Sequence, residues 1–174
     1  AYLIGKAIAT KALEKGITRI ALGRDGRLSG PGLMAQIQRG FTDSGIDVLN
    51  VGMVATPMLY FAAINECGGS GVMITGSHNP PDYNGFKMML GGDTLAGEAI
   101  QELLAIVEKD GFVAADKQGS VTEKDISCEY HNNLAGHIQL KRPMKIVIDP
   151  GNGAGGAFAG ELYKGFGNED PELF

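Results

Sequence analysis

Apolar and polar positions along the chain switch between helical and extended patterns. Near the start, Leu3, Ile4, Ala7 and Ile8 recur every three or four residues, which predicts a helix over 1–15. Short apolar runs typical of buried strands follow, with helical patterns between them. The strands are predicted at 19–23, 47–52, 70–75, 85–90 and 144–149, and the further helices at 31–44, 56–65, 95–109 and 127–140.

This alternation predicts an α/β fold, a three-layer αβα sandwich with a mixed, mostly parallel sheet. The run at 85–90 follows a turn-rich loop and predicts a hairpin-like return strand. From 111 to 126 the hydrophobic period weakens and polar residues accumulate, which is typical of a connector. We therefore expect a first domain over 1–126, and a linker helix with the start of a second, similar domain over 127–174.

One helix start carries a local signal. Ser29 stands two residues before Pro31. A serine at this position can accept hydrogen bonds from the first helical N–H groups, and proline suits the first turn. We expect Ser29 to cap the helix that follows.

Composition and charge narrow the classes of function. Glycine accounts for 27 of 174 residues without a regular repeat, so the glycines are expected in loops. A net charge of -5 without a dense Lys/Arg cluster predicts no nucleic-acid partner. No apolar run reaches the roughly 18 residues of a membrane span, and two cysteines are too few for a disulfide framework. We expect a cytoplasmic protein with no membrane partner.

Polar chemistry is densest in the loop after the strand predicted at 70–75. In open α/β sheets, ligands bind outside the carboxyl ends of the strands. The loop carries the hydroxyl of Ser77, the imidazole of His78 and a backbone stiffened by Pro80 and Pro81. Lys87 returns on the next strand, where its charge would help to balance a phosphate on Ser77. The alternative is a tight proline-rich turn with scattered polar side chains.

A hydrolytic serine is not indicated at this loop. Ser77 does not lie in a G-x-S-x-G motif. Ser77 and His78 are sequence neighbours, and we expect their side chains to point apart in an extended loop. Their adjacency in the sequence is therefore no evidence for a nucleophile and its base.

Several segments together resemble the motifs of the α-D-phosphohexomutase family. Thr75–Pro80 resembles its phosphoserine signature T-[AG]-S-H-N-P. Gly23–Gly30 is similar to the family's G-x-D-x-R-x-S-G loop, Val51–Pro57 to its G-x-x-x-T-P segment and Asn84–Lys87 to its N-G-x-K strand. Met144–Gly156 is similar to the start of the family's second domain, so the resemblance runs along nearly the whole chain.

The resemblance implies an enzyme that interconverts hexose 1-phosphate and hexose 6-phosphate, with glucose, mannose or both as the sugar. Ser77 would carry the transferable phosphoryl group, and a hexose 1,6-bisphosphate would be the intermediate. One phosphate oxygen on Ser77 would ligate a single Mg²⁺ ion, Lys87 would neutralise charge or move a proton, and His78 would line the site. Cations around the phosphoryl group suit phosphoryl transfer, which depends on positioning and on stabilising spread negative charge. The implied partners are hexose phosphate and hexose 1,6-bisphosphate, and we expect a monomer.

Further residues are expected to support the Ser77 loop. Asn79 belongs to the loop itself, and Arg24, Asp25 and Arg27 lie in the Gly23–Gly30 segment. Loop charges most often pair locally. We therefore expect the two arginines and Asp25 to form ion pairs that brace the loop, in preference to contacting a substrate directly.

The sequence also departs from the family pattern. It contains no D-G-D-G-D-R loop to supply metal-binding carboxylates and no G-E-x-S-G-H sugar-binding loop. The C-terminal phosphate-binding loop is absent as well. We therefore expect a first domain without its first strand, plus a truncated second domain, with no mutase activity by itself. Mg²⁺ requires several oxygen ligands, so a lone phosphoserine should hold the ion poorly, and the other ligands would lie outside this chain.

A second glycine cluster gives a different hypothesis. Gly151–Gly156 satisfies G-x-G-x-x-G after an apolar strand, and the acidic residues Glu169 and Asp170 follow near the distance that a dinucleotide fingerprint requires. The approach to these acids has little β character. The alternative is a strand-to-helix turn with close backbone packing. A further possibility is an interaction module without chemistry, although no charge run or amphipathic surplus favours it.

Overall fold

The structure is a computed structural model that describes residues 1–167 and 171–173. Helices and strands alternate along most of this length. The elements are α1 (Tyr2–Glu14), β1 (Arg19–Arg24), α2 (Gly30–Asp43), β2 (Asp47–Met53), α3 (Thr56–Glu66), β3 (Gly71–Ile74), β4 (Phe86–Leu90), β5 (Asp93–Thr94), α4 (Glu98–Glu108), β6 (Val121–Glu123), α5 (Ser127–His137), β7 (Val147–Ile148), a 3-10 helix (Ala154–Ala157), α6 (Ala159–Gly165) and β8 (Glu172–Leu173).

The main sheet has the strand order β5-β4-β3-β1-β2-β6. β1 pairs in parallel with both β2 and β3, and β6 pairs in parallel with β2. β4 returns antiparallel to β3, and β5 is antiparallel to β4. The predicted α/β class with a mixed, mostly parallel sheet is therefore confirmed, including the return strand.

Helices cover both faces of the sheet. On one face, α1, α2 and α4 pack on a core that includes Ile8, Ile37 and Leu103. On the other face, α3 packs on a core that includes Leu59, and Tyr130 of α5 lies against it. These layers form the αβα sandwich that the alternating sequence pattern predicts.

α1 and α2 approach closely through two glycines. A β-carbon at Gly40 would lie 2.5 Å from the carbonyl oxygen of Tyr2, and one at Gly5 would lie 2.7 Å from that of Ile37. Neither distance is compatible with a side chain. The two helix backbones can therefore pack at this separation only because both positions lack a β-carbon.

β6 lies within the stretch that the sequence predicts as a connector. All three of its residues are exposed, and β2 pairs with it at the edge of the sheet. Ser120 holds it there, because its N–H and its hydroxyl each donate to Oδ1 of Asp47 at 2.7 Å. The connector prediction is wrong for this strand, since contacts with β2 and not an apolar pattern stabilise it.

Ser29 lies at the predicted start of α2, but the prediction that its side chain caps the helix is wrong. Ser29 does occupy the N-cap position of α2, but its side chain makes no capping hydrogen bond. Its hydroxyl donates instead to Oδ1 of Asn84 at 3.0 Å. The serine therefore links the start of α2 to the far end of the loop that contains Ser77.

Beyond α5 the chain forms a small separate sheet. β7 pairs in parallel with β8, and the 3-10 helix and α6 lie between them along the chain. The strand predicted at 144–149 has only two residues in regular pairing, Val147 and Ile148. The boundary expected near residue 126 stays a prediction. No helix within 1–167 and 171–173 has the length and apolar character needed to cross a bilayer.

Candidate active site

The candidate site lies at the switch point of the sheet, where successive strands are added on opposite sides of β1. From β1 the chain moves to β2 on one side, and then crosses back to β3 on the other side of β1. The loops that leave the carboxyl ends of β1 and β3 diverge at such a point, and ligands of open α/β sheets bind between them. Here these loops line a cleft of about 670 Å³ that includes Arg27, Ser29, Ser77 and Asn79. We call it the Ser77 cleft.

Ser77 has an unusual backbone conformation at this cleft. Its φ is 52°, in the left-handed region that non-glycine residues seldom adopt. Its N–H donates to Oγ1 of Thr75 at 2.9 Å, and its exposed Oγ lies 3.1 Å from Nδ1 of His78. The expectation that the two side chains point apart is therefore wrong, because the loop is not extended at Ser77.

The rest of the loop is closed by short-range hydrogen bonds. Asn79 donates to the carbonyl oxygen of Gly76 through both its backbone N–H and its Nδ2, each at 3.0 Å. At the base of the loop, the N–H of Thr75 donates to the carbonyl oxygen of Gly85 at 3.0 Å. The structure therefore places Asn79 inside the loop as one of its internal ties.

Arg27 reaches across from the loop after β1 and contacts the backbone of the Ser77 loop. Its guanidinium donates to four carbonyl oxygens, and only 16% of the side chain is exposed. These acceptors are Ser77 at 3.2 Å, Asn79 at 2.7 Å, Pro80 at 2.6 Å and Tyr83 at 3.0 Å. The group lies against Gly76, in space that a β-carbon there would occupy.

Asp25 connects the same two loops through its carboxylate. Oδ2 accepts the N–H of Gly76 at 3.2 Å and lies 3.4 Å from Nε of Arg27. Oδ1 accepts the backbone N–H of Arg27 at 3.0 Å. Asp25 thus contacts both the arginine and the residue that precedes Ser77.

Arg24 lies apart from this group. Its Nη1 donates to the carbonyl oxygen of Asp25 at 2.9 Å, and its side chain lines a second cleft of about 690 Å³ together with Asn50 and Lys124. Its expected ion pair is not formed within the described part of the chain. The structure therefore separates Arg24 from the bracing contacts of Arg27 and Asp25.

Lys87 lies on β4, opposite Met73 of β3, and its side chain is exposed. Its ammonium group forms no hydrogen bond and no ion pair with any residue in 1–167 or 171–173. The ammonium group of this exposed lysine lies beside the base of the loop, where an anion could reach it.

Metal ligands do not cluster in the part of the chain that is described. No group of three or more His, Cys, Asp or Glu side chains comes together there. Cys67 is not a reactive centre either, because burial raises the pKa of its thiol to about 11.

The glycine cluster adopts a geometry that does not support dinucleotide binding. Residues 154–157 form a 3-10 helix where the fingerprint requires the start of a long α-helix, and the preceding strand has two residues. Glu169 and Asp170 lie outside the described residues. Instead, Asn152, Gly153 and Ala154 line the Ser77 cleft, a placement that the fingerprint pattern does not signal.

Fold and site together define an α/β protein that presents a serine in a left-handed loop at a switch-point cleft. The family model described as phosphoglucomutase/phosphomannomutase, alpha/beta/alpha domain I, matches residues 1–114. The chain belongs to this phosphoglucomutase/phosphomannomutase family.

Individual relatives agree with this membership. A phosphoglucomutase of Neisseria meningitidis serogroup A is 88% identical over all 174 residues, which make up 38% of that relative. A phosphomannomutase/phosphoglucomutase of Pseudomonas aeruginosa is 49% identical over 96% of this chain and 36% of its own length. A solved family structure from Burkholderia thailandensis superposes with a TM-score of 0.90 at 40% identity, over 99% of this chain and 38% of that one. The chain thus spans little more than a third of the relatives it matches.

Proposed function

We propose that this chain provides the phosphoryl-carrying part of a phosphohexomutase. Ser77 accepts a phosphoryl group, donates it to a hexose phosphate and recovers a phosphoryl group from the resulting hexose 1,6-bisphosphate. The observation that carries the proposal is the presentation of Ser77. Its hydroxyl is exposed at a switch-point cleft, on a loop whose backbone is held by side chains from a second loop.

Phosphoryl transfer depends mainly on geometry and charge, with little covalent work for the protein. A rigid loop lowers the cost of aligning the serine oxygen with the phosphorus atom. Lys87 is the proposed source of positive charge, since no described residue binds its ammonium group. His78 contacts the oxygen that would carry the phosphate and is proposed to line the site beside it.

In the proposed enzyme, this chain binds Mg²⁺ only through the phosphate on Ser77. The described residues do not form a magnesium site on their own, because no cluster of three or more carboxylate, imidazole or thiolate groups is present among them. Mg²⁺ normally combines one or two carboxylates with phosphate oxygens and water. We propose that a phosphate oxygen on Ser77 supplies one ligand, and that the remaining ligands come from outside the described residues.

The names of the relatives support hexose phosphates as substrates. They are phosphoglucomutase for the Neisseria relative and phosphomannomutase/phosphoglucomutase for the Pseudomonas relative. Glucose phosphates are therefore the first substrates to test, followed by mannose phosphates. Because the chain covers about 38% of the Neisseria relative, the complete reaction requires residues that this sequence does not contain.

The experiment uses a chimaera in which this chain replaces the matching 174 residues of the Neisseria phosphoglucomutase. After incubation with glucose 1,6-bisphosphate, we expect an added mass of about 80 Da, the mass of one phosphate group. Fragmentation of the tryptic peptide over 40–87 should place it on Ser77. Ser77→Ala should abolish both the added mass and glucose 1-phosphate turnover. Full turnover by Ser77→Ala would overturn the proposal.

A further inference from the structure

Arg27 stands beside a serine proposed to carry phosphate, where an arginine is usually read as an anion ligand. A guanidinium has five N–H donors in a planar fork. In this structure both terminal nitrogens donate to two carbonyl oxygens each, and Nε faces the carboxylate of Asp25 at 3.4 Å. The four N–H groups of the two terminal nitrogens are therefore taken by protein carbonyls, and Nε lies in ion-pair contact with Asp25, which leaves no terminal N–H for a phosphate.

The acceptors of Arg27 are spread over the whole loop. The carbonyl oxygens of Ser77 and Asn79 bind one terminal nitrogen, and those of Pro80 and Tyr83 bind the other. Carbonyls that belong to several residues converge on one point only if the chain curls around it. The guanidinium thus forms the centre about which the loop turns, and Ser77 is held at its φ of 52° on the rim.

We propose that Arg27 is a positioning residue for phosphoryl transfer and does not bind the phosphate. Its fork holds four carbonyl oxygens and so fixes the direction in which Oγ of Ser77 faces the cleft. This inference rests on the proposed role of Ser77. It also assigns Asp25 a defined part, since the carboxylate holds the guanidinium at Nε and the N–H of Gly76 at the same time.

The geometry distinguishes arginine from lysine at this position. A lysine ammonium keeps the charge but has three donors and no planar fork. It cannot serve four carbonyl oxygens at the observed positions. A role based on charge alone would tolerate Arg27→Lys, whereas a positioning role would not.

The test uses the same chimaera with Arg27→Lys and Arg27→Ala, and the matched control Arg39→Ala. Arg39 is an exposed arginine of α2 whose ion pair partner is Asp43, away from the cleft. We expect both Arg27 variants to lower kcat for glucose 1-phosphate by about 10²-fold, the scale for misplacing a reacting group by about 1 Å. KM should change little, because the guanidinium does not contact the substrate. Arg39→Ala should retain the parent kcat.

Chemical rescue gives a readout that general destabilisation would not. Millimolar guanidinium should restore part of the kcat of Arg27→Ala, because the ion fits the vacated space and reproduces the fork, whereas methylammonium should not. Circular dichroism of Arg27→Lys checks that this variant folds. If Arg27→Lys folds and keeps the parent kcat, or if Arg27→Ala raises KM alone, the inference is wrong. Loss of function in Ser77→Ala together with full activity in both Arg27 variants would reject this inference and leave the proposed function standing.

Discussion

The carboxylate of Asp25 accepts the N–H of Gly76 at 3.2 Å and so joins the loop after β1 to the loop that presents Ser77. The same carboxylate accepts the N–H of Arg27 at 3.0 Å. A carboxylate offers acceptors on both oxygens, whereas an amide offers one acceptor and one donor. The two N–H groups therefore require an acid at this position.

Asp25→Asn should destabilise the two loops. The NH2 group of the asparagine would face a backbone N–H donor, so one hydrogen bond would be lost. A hydrogen bond to a charged group contributes about 1.5–3 kcal/mol. We expect the free energy of unfolding to fall by about 1–2 kcal/mol, since the carboxylate is partly exposed. Urea denaturation measures the change. Asp116→Asn is the control, because Asp116 is exposed and has no hydrogen bond to any described residue. Equal stability of the two variants would contradict the account.

Lys87→Met should show whether the positive charge of this lysine contributes to catalysis, because the substitution removes the charge and leaves the fold unchanged. The methionine preserves most of the aliphatic stem, and the ammonium has no described partner to lose, so folding should be unaffected. If the lysine neutralises charge or moves a proton, kcat of the chimaera should fall by about 10²-fold or more. Lys109→Met serves as control, because Lys109 is also exposed and its ammonium has no described partner. An unchanged kcat in Lys87→Met would remove the lysine from the mechanism.

Two glycines of α2 should respond oppositely to the same substitution. A β-carbon at Gly40 would lie 2.5 Å from the backbone of α1, whereas one at Gly32 would meet no described atom within 4 Å apart from its chain neighbours and the backbone of its own helix. Gly40→Ala should therefore destabilise the protein by about 1–3 kcal/mol, the range for overpacked cores. Gly32→Ala should be neutral or should stabilise by up to about 1 kcal/mol, because alanine favours the helix. Thermal unfolding distinguishes them, and an unaffected Gly40→Ala would exclude the close packing of α1 and α2.

Acid should weaken the attachment of β6. Hydrogen bonds from the N–H and hydroxyl of Ser120 hold the pKa of Asp47 below its ordinary value. Because the pKa of Asp47 is lower in the folded than in the unfolded state, its carboxylate stabilises the fold at pH values above the unfolded pKa, near 3.9. This contribution is lost as the pH falls through the folded pKa. Asp47→Asn should reduce stability at neutral pH and flatten the loss of stability below about pH 4. Urea denaturation over this pH range checks it. An acid slope identical to that of the parent would contradict the role of Asp47.

Much of the fold follows from hydrophobic periodicity. α1, β1, α2, β2 and α3 all begin and end within two residues of their predicted bounds, because each has a clear period and a turn at its end. β6 could not be found in this way. Its residues are exposed. Its position depends on Asp47 and on the close approach of Gly119 to the backbone of Ile46. Asp47 and Ile46 both lie far from β6 in the sequence.

The candidate site is likewise only partly predictable from the sequence. The motif around Ser77 identifies the loop, yet the contact with His78 depends on a left-handed φ that no residue type there requires. The targets of Arg27 are backbone carbonyls, and every residue has one, so the sequence contains no signal for them. Arg24 and Arg27 are three residues apart and look equivalent in sequence, but they line different clefts.

The proposed transfer of a phosphoryl group from Ser77 to the sugar can be followed directly. The chimaera, labelled on Ser77 with radioactive phosphate, would be mixed rapidly with unlabelled glucose 1-phosphate and quenched over a time series. We predict that the label leaves the protein at least as fast as turnover and appears first in glucose 1,6-bisphosphate. Label that stays on Ser77 while product accumulates would contradict the account.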